Sequence, residues 1–468
     1  MGRMLTVMAP RWRAFSQPIM PTSIIQRALW AVLLGLTALW LGAEPTPWPQ
    51  PFHYFAFRAS FMQYSGALAI GAMSVAMVLA VRPTWLEPHL RGLDKMYRLH
   101  KWLGITALVT SVAHWWLGQG TKWMVGWGWL VRPPRGPRPS PADQGMLEAW
   151  FGSQRHLAET VGEWAFYAAA VLMVLALVKR FPYHWFAKTH TVLAALYLAL
   201  VFHSVVLVKF PYWGSALGVV LAVLMAGGSV AAVLVLGGRV GARRQVSAEV
   251  VSTTAYPGVN ALHTTLRVGE GWPGHRAGQF AFVTLDPKEG AHPYTLASAW
   301  DAQTRRLSLV TKALGDHTRR LPELVKPGLP ATIEGPYGCF DFTDAQPHQI
   351  WIGAGIGITP FIARMQQLAA QGLQGVSVDL FHPTAQRDDR ALAQLHADAR
   401  AAGIRLHVLV DAQDGRLDGA HIRHLVPQWL QASVWFCGPV GLGQALLADF
   451  RAHGLMPQRF HQELFQMR

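Results

Sequence analysis

The chain has 468 residues, enough for two or three domains, and is 51% hydrophobic but only 14% charged, a balance that points to a partly membrane-embedded protein. A formal net charge of +15 would suit nucleic acid, yet many Lys and Arg flank hydrophobic helices as the positive-inside rule expects, so no nucleic-acid role is read. The two cysteines, Cys339 and Cys437, stand in different motifs of the second half, which excludes a disulfide framework and a cysteine-ligated zinc or iron–sulfur site.

Residues 1–23 read as a basic cytoplasmic tail (Arg3, Arg11, Arg13). No short apolar run with a small-residue cleavage site follows, so no cleaved signal peptide is expected. Six apolar spans come next, near 24–42, 59–81, 98–118, 160–179, 189–209 and 214–237, within a membrane domain of residues 24–240. Each is close to the ~20 residues needed to cross a bilayer. Arg82, Arg91, Lys95, Arg98 and Lys101, then Lys179, Arg180 and Lys188, then Arg239, Arg243 and Arg244 fall on one side, with the N-terminus and the soluble half. That side is the cytoplasm. The 119–158 segment is expected as a solvated outer loop despite its basic residues (Lys122, Arg132, Arg135, Arg138, Arg155), with tryptophans at the membrane interface. Arg58, at the outer start of span two, is expected to snorkel to the headgroups, with a haem propionate as its alternative partner.

The third span, YRLHKWLGITALVTSVAHWW, carries His100 and His114, 14 residues apart. The fifth repeats the pattern with His190 and His203, 13 apart. Four helical turns come to roughly 14 residues and ~21 Å, so each helix presents an upper and a lower histidine on one face. A lone membrane histidine can simply mark a satisfied polar contact. Two pairs at matched spacing, on helices running the same way, instead suit two stacked haems, His100 and His190 holding the inner one and His114 and His203 the outer one.

Beyond span six the pattern changes. VSAEVVSTT, HTTLRV and QFAFVTL alternate as short strands and predict a small antiparallel β-barrel over 245–343. HQIWIGAGIGITPFIARMQQL then reads as strand, glycine turn and helix, opening a doubly wound α/β domain over 347–468. In His292-Pro293-Tyr294-Thr295-Leu296-Ala297-Ser298 the tyrosine can stack on a flat ring, the threonine can bond a ring nitrogen and the histidine can meet a phosphate. Lys312-Ala313-Leu314-Gly315-Asp316-His317-Thr318 opens a helix whose free N–H groups suit a pyrophosphate, although an ordinary N-cap would look the same. Gly353, Gly355 and Gly357, with Thr359 and Pro360, permit close backbone approach to a dinucleotide, on a spacing unlike the six-position fingerprint. Cys437-Gly438-Pro439 brings a small polarizable side chain to a strand end, or is a simple turn.

Taken in order, these motifs resemble the ferredoxin–NADP reductase superfamily in the soluble half. Over residues 24–468 the chain resembles the NADPH oxidase/ferric reductase superfamily: a six-helix membrane α-bundle with two haems, joined to a reductase half made of an FAD barrel and a nucleotide domain. The resemblance implies two haems of b type, FAD and NADPH (or NADH) as cofactors. It places His292, Pro293, Tyr294, Thr295 and Ser298 on FAD, with Lys312, Gly315 and Thr318 at its pyrophosphate and Phe465 as the stacking aromatic. It places Gly353, Gly355, Gly357, Thr359, Pro360, Cys437, Gly438 and Pro439 at the pyridine nucleotide, with Thr295 and Cys437 in the catalytic positions. Arg387 and Arg390 follow the strand VSVDLFH, where a 2′-phosphate would be read, and so favour NADPH.

The activity implied is electron transfer across a bacterial inner membrane from cytoplasmic NAD(P)H to an outside acceptor: O2, giving superoxide, or a ferric or cupric chelate, or a docked periplasmic protein. Animal oxidases of this family carry a further histidine one turn beyond the outer ligand, where this chain has Gly118.

Overall fold

A computed structural model describes residues 23–134, 145–178, 183–344, 346–372 and 375–463. The N-terminal tail, Lys179, Arg180, Arg135, Arg138 and Phe465 lie outside them. The first half is helical: α1 (Ser23–Ala43), α2 (Tyr54–Ala80), the single turn α3 (Glu87–Leu90), α4 (Leu93–Gly126), α5 (Met146–Leu177), α6 (Tyr183–Leu207) and α7 (Ala216–Leu236). Among the described residues α1, α2, α5, α6 and α7 contain stretches long and apolar enough to cross a membrane. At 34 residues α4 is long enough too, but His100, His114 and four tryptophans dilute its apolar character.

Helix α4 packs along α2 and α6 along α5, while α7 closes the bundle against α2 and α6. Small residues on α2 (Ser65, Ala67, Gly71, Ala72, Ala76) are buried and let its neighbours approach closely. At Gly71 an added methyl would stand 2.5 Å from Leu36 of α1.

The expected outer loop 119–158 is largely helix. Helix α4 runs on to Gly126 and α5 starts at Met146. Polar residues do not end a helix when a partner helix satisfies them: Gln119 Nε2 donates to Glu163 at 2.6 Å, and the Tyr167 hydroxyl donates to the same oxygen at 2.8 Å.

The second half holds two sheets. Strands β1 (Gln245–Tyr256), β2 (Ala261–Val268), β3 (Phe280–Thr284), β4 (His292–Thr295), β5 (Arg306–Lys312) and β6 (Pro330–Tyr337) form an antiparallel sheet in the order β4-β3-β6-β1-β2-β5. A bridge between Leu296 and Leu309 joins the two edges, so the sheet closes as a barrel around Val250, Leu266, Leu296, Leu307, Leu309 and Ile333. Helix α8 (Asp316–Leu324) follows β5.

The nucleotide domain alternates β7 (His348–Gly353), α9 (Thr359–Gln371), β8 (Ser377–Thr384), α10 (Asp389–Ala401), β9 (Arg405–Val410), α11 (Asp411–Asp414), α12 (Gly419–Leu425), β10 (Ser433–Cys437), α13 (Val440–Ala452) and β11 (Phe460–Gln462). Its sheet is parallel throughout, in the order β11-β10-β7-β8-β9. The chain steps outward from β7 to β9 and then returns to the other side of β7. The switch point of this open sheet therefore lies between β7 and β10, where the carboxyl ends of strands receive ligands.

The two halves share a core. Leu79, Leu93, Met96, Leu99 and Leu103 of the helical half pack in one cluster with Phe280, Phe282 and Tyr337 of the barrel.

Candidate functional site

The four histidines meet in two pairs. His100 faces His190 with ring centres 5.9 Å apart and planes at 63°; His114 faces His203 at 6.3 Å and 79°. Two metal–nitrogen bonds of ~2 Å, plus the ~1 Å from each ring centre to its nitrogen, total ~6 Å. Each gap thus has room for one metal atom held from both sides. The first histidine of α4 meets the first of α6 and the second meets the second, so the helices run parallel, as the spacing predicts.

The remaining ring nitrogens are held. Nδ1 of His100 is 2.8 Å from the Ala76 carbonyl, that of His114 is 3.0 Å from the Met62 carbonyl, and that of His203 is 2.8 Å from the Ala158 carbonyl. A carbonyl only accepts, so each Nδ1 carries the proton and each Nε2 offers a lone pair to the gap, the usual support of a metal-bound imidazole. Among the described residues His190 Nδ1 has no such partner; its ring stacks on Phe186 at 5.0 Å. The residues therefore fit two haems, which His100 with His190 and His114 with His203 would hold.

Glycine makes room for the outer pair. A methyl at Gly162 would stand 1.9 Å from His203 Nδ1, whereas one at Gly66 would sit 3.4 Å from His114 Cε1, an ordinary contact. Gly162→Val should push His203 out of register and lower the haem content from two per chain to one, read by pyridine haemochrome assay. Gly66→Ala should leave it near two.

Near the outer pair, Arg58 is half-buried and its Nε donates to the Leu117 carbonyl at 2.8 Å, tying α2 to α4. Trp115 Nε1 donates to Tyr167 at 3.1 Å, extending the Gln119–Glu163–Tyr167 network across α4 and α5.

On the barrel, β4 carries His292, Pro293, Tyr294 and Thr295 beside β3. The His292 and His317 rings stack at 4.0 Å, 9° from parallel, and the Tyr294 hydroxyl is 3.0 Å from His317 Nε2. Burial lowers both histidines and raises the Tyr294 phenol, so all three are neutral at pH 7. With Glu289, the ligand atoms of His292 and His317 lie within 4.8 Å of one another. Two residues expected at the flavin also brace the backbone. The Ser298 hydroxyl accepts the Ser308 N–H at 3.0 Å and helps close the barrel, and the Thr318 hydroxyl accepts the Leu314 and Gly315 N–H groups, each at 3.0 Å.

The two nucleotide motifs come together at the switch point. The Ala354 N–H donates to the Cys437 carbonyl at 3.0 Å. A methyl at Gly357 would lie 2.1 Å from that carbonyl oxygen, and one at Gly438 would lie 2.7 Å from Ala354 Cβ. Gly353 ends β7, Gly355 takes a φ of +55°, and Thr359 and Pro360 open α9. Pro439 caps α13. Cys437 is fully buried, and burial pushes its thiol well up, so it stays protonated. Glu463 nearby is held at about 8 by burial and the facing Asp94 and Glu87, offset in part by Lys95.

A cleft of about 420 Å³ separates barrel from nucleotide domain, lined by His263, Lys312, Ile356, His382, Thr384 and Asp388 among others. Lys312, expected at the flavin, faces this cleft. Arg387 and Arg390, expected at a 2′-phosphate, are not among the residues that line this cleft. Asp388 takes the N–H groups of Gly258, Arg390 and Ala391 as the cap of α10, and Arg387 pairs with Asp389 outside. The carboxylate, not a guanidinium, faces the cleft.

Comparison with known proteins bears on this arrangement. Residues 65–201 match the family described as ferric reductase like transmembrane component, a span that includes His100, His114 and His190 and stops short of His203. The chain is 28% identical over 226 residues to dual oxidase 1 of Rattus norvegicus, covering 42% of this chain and 13% of that protein. Both findings support the resemblance to the NADPH oxidase/ferric reductase superfamily. The chain is also 31% identical over 189 residues to an NADPH oxidoreductase of Mycobacterium tuberculosis, covering 38% of this chain and 50% of that protein. It thus spans half or less of either relative. Among solved structures, flavohemoglobin from Malassezia yamatoensis aligns over 95% of this chain and 99% of its own, at 16% identity and a TM-score of 0.45.

The sequence alone does not point to Gly162, His263, His382 or Asp388. A glycine inside a membrane helix hints at close approach, and Gly162 carries that signal. The other three are named by no motif; only the packing of barrel on nucleotide domain brings them to the cleft.

Proposed function

We propose that this membrane oxidoreductase carries electrons from cytoplasmic NADPH (or NADH), through FAD and two haems of b type, to O2 outside a bacterial inner membrane, yielding superoxide. The observation that carries the proposal is the pair of facing histidine couples stacked along α4 and α6 in the same chain as a nucleotide cleft. Bound flavin would supply the change from a two-electron hydride to single electrons, and the haems a relay for them.

The chain's own part is placement. Gly353, Gly355 and Gly357 let the nucleotide approach the switch point, and Cys437 offers a small neutral side chain there. Tyr294 and Thr295 on β4 present a stacking face and a hydroxyl for the flavin ring. His114 and His203 would hold the outer haem, which would pass single electrons on to the acceptor.

A second reading, reduction of ferric or cupric chelates, is favoured by Gly118, where an added methyl has nothing within 4 Å, and by the basic outer residues Lys122 and Arg132. The deciding experiment is anaerobic reduction of the purified protein with NADPH, then admission of air while the haem bands are watched. Rapid reoxidation with superoxide supports the oxidase. Haem that stays reduced in air but is oxidised by ferric chelate supports the metalloreductase, and haem that never reduces refutes the electron path.

A further inference from the structure

One guanidinium spans the junction between the two halves. Arg82 follows the end of α2 with a φ of +56°. Its Nε donates to the Tyr97 hydroxyl of α4 at 2.8 Å, its NH1 pairs with the Glu334 carboxylate of β6, and its Cζ sits 3.9 Å from the centre of the Phe282 ring on β3. The ion pair is buried, with the Arg82 side chain 18% and that of Glu334 5% exposed. Glu334 also receives the Tyr337 hydroxyl at 2.7 Å, and Arg244 lies over the Tyr337 ring at 5.0 Å. Two further contacts run parallel: the Gly338 N–H donates to Glu87 at 2.7 Å and Lys95 Nζ to the Gln462 carbonyl at 3.1 Å.

What Arg82 touches matters more than the number of its bonds. Helix α2 holds His100 through the Ala76 carbonyl, six residues before Arg82, and Tyr97 stands three residues before His100 on α4. On the other side, β3 is paired with β4, aligning Val283 with His292, Ala281 with Tyr294 and Phe280 with Thr295. A single side chain therefore links α2 and α4, the two helices that hold His100, to the strand next to the flavin strand.

We propose that Arg82 is a positioning residue for electron transfer into the membrane, fixing strand β4 relative to the His100–His190 pair. The inference rests on the electron path proposed above. Removing one partner of a buried ion pair leaves the other charge uncompensated, so Glu334 would seek water and the barrel would shift on the helix ends. A displacement of ~1 Å between reacting groups is enough to cost on the order of 100-fold in rate.

The test uses the full-length holoprotein under anaerobic stopped flow with NADPH, following flavin bleaching and haem reduction separately. In Arg82→Met, flavin bleaching should stay within about two-fold of wild type while haem reduction slows at least ~10-fold, with haem content and the dithionite-reduced spectrum unchanged. Haem reduction within two-fold of wild type would overturn the proposal. Should Arg82→Met lose flavin or haem, Arg82→Lys decides, since it keeps the charge and loses the planar fork. A selective slowing of haem reduction supports the role, and equal slowing of both steps refutes it. Failure of the electron path itself looks different: wild-type flavin bleaches and wild-type haem never reduces.

Discussion

Replacing His203 with leucine is expected to leave one haem per chain and to lower NADPH-driven reduction of any outside acceptor by on the order of 100-fold or more. The size follows from the geometry. His203 is one of two rings facing a gap of 6.3 Å, its Nδ1 proton is committed to the Ala158 carbonyl, and among the described residues no other histidine is paired with His114. Loss of a mere supporting contact typically costs 10–100-fold in metal affinity, so loss of the ligand itself exceeds that. The inner couple, His100 and His190, is held by α2 and Phe186 and should be untouched. The variant should therefore still take one electron from the reductase half. Pyridine haemochrome and low-temperature spectra check both parts: one remaining six-coordinate haem, reducible by NADPH, is the expected result. Two remaining haems would refute the assignment of the outer pair.

The second large effect is expected at the switch point. Gly357→Val places its first carbon 2.1 Å from the Cys437 carbonyl oxygen, a main-chain atom that cannot swing aside. The β7 turn and the end of β10 must separate, which breaks the Ala354–Cys437 hydrogen bond and removes the surface on which a nicotinamide nucleotide would rest. NADPH-driven flavin bleaching should fall by at least ~100-fold, because nucleotide and flavin lose their alignment. Dithionite should still reduce both haems with an unchanged spectrum, since the membrane couples lie in the other half. Bleaching at the wild-type rate would show that the nucleotide does not use this turn.

Both predictions concern residues that the sequence itself makes legible, and the reason is physical. Histidines 14 and 13 residues apart announce themselves because helical periodicity is local: spacing alone puts both on one face. Likewise, alternating valine-rich strands, a glycine turn after a buried strand and their order along the chain reveal a barrel followed by a parallel α/β domain. The hydrophobic stretches near bilayer length needed nothing else: among the described residues five of the six expected spans are helices apolar enough to cross a membrane, and the third lies in the more polar α4.

Tertiary structure decided the rest, because it depends on which distant segments pack together. Arg82 and Glu334 are 252 residues apart and look like ordinary surface charges in sequence; only the docking of the barrel on α2 and α4 pairs them. Gly162 matters only because His203 lies against it. Asp388, between Arg387 and Arg390, caps α10, bonds Gly258 of the barrel and lines the cleft, a placement that no spacing in the sequence announces. The outer segment beyond residue 118 is polar enough to read as loop, and becomes helix because α4 and α5 satisfy one another through Gln119, Glu163 and Tyr167. Periodic, local chemistry determined the cofactor class and the order of domains. Close approach between distant elements decided which side chains hold, align and face them.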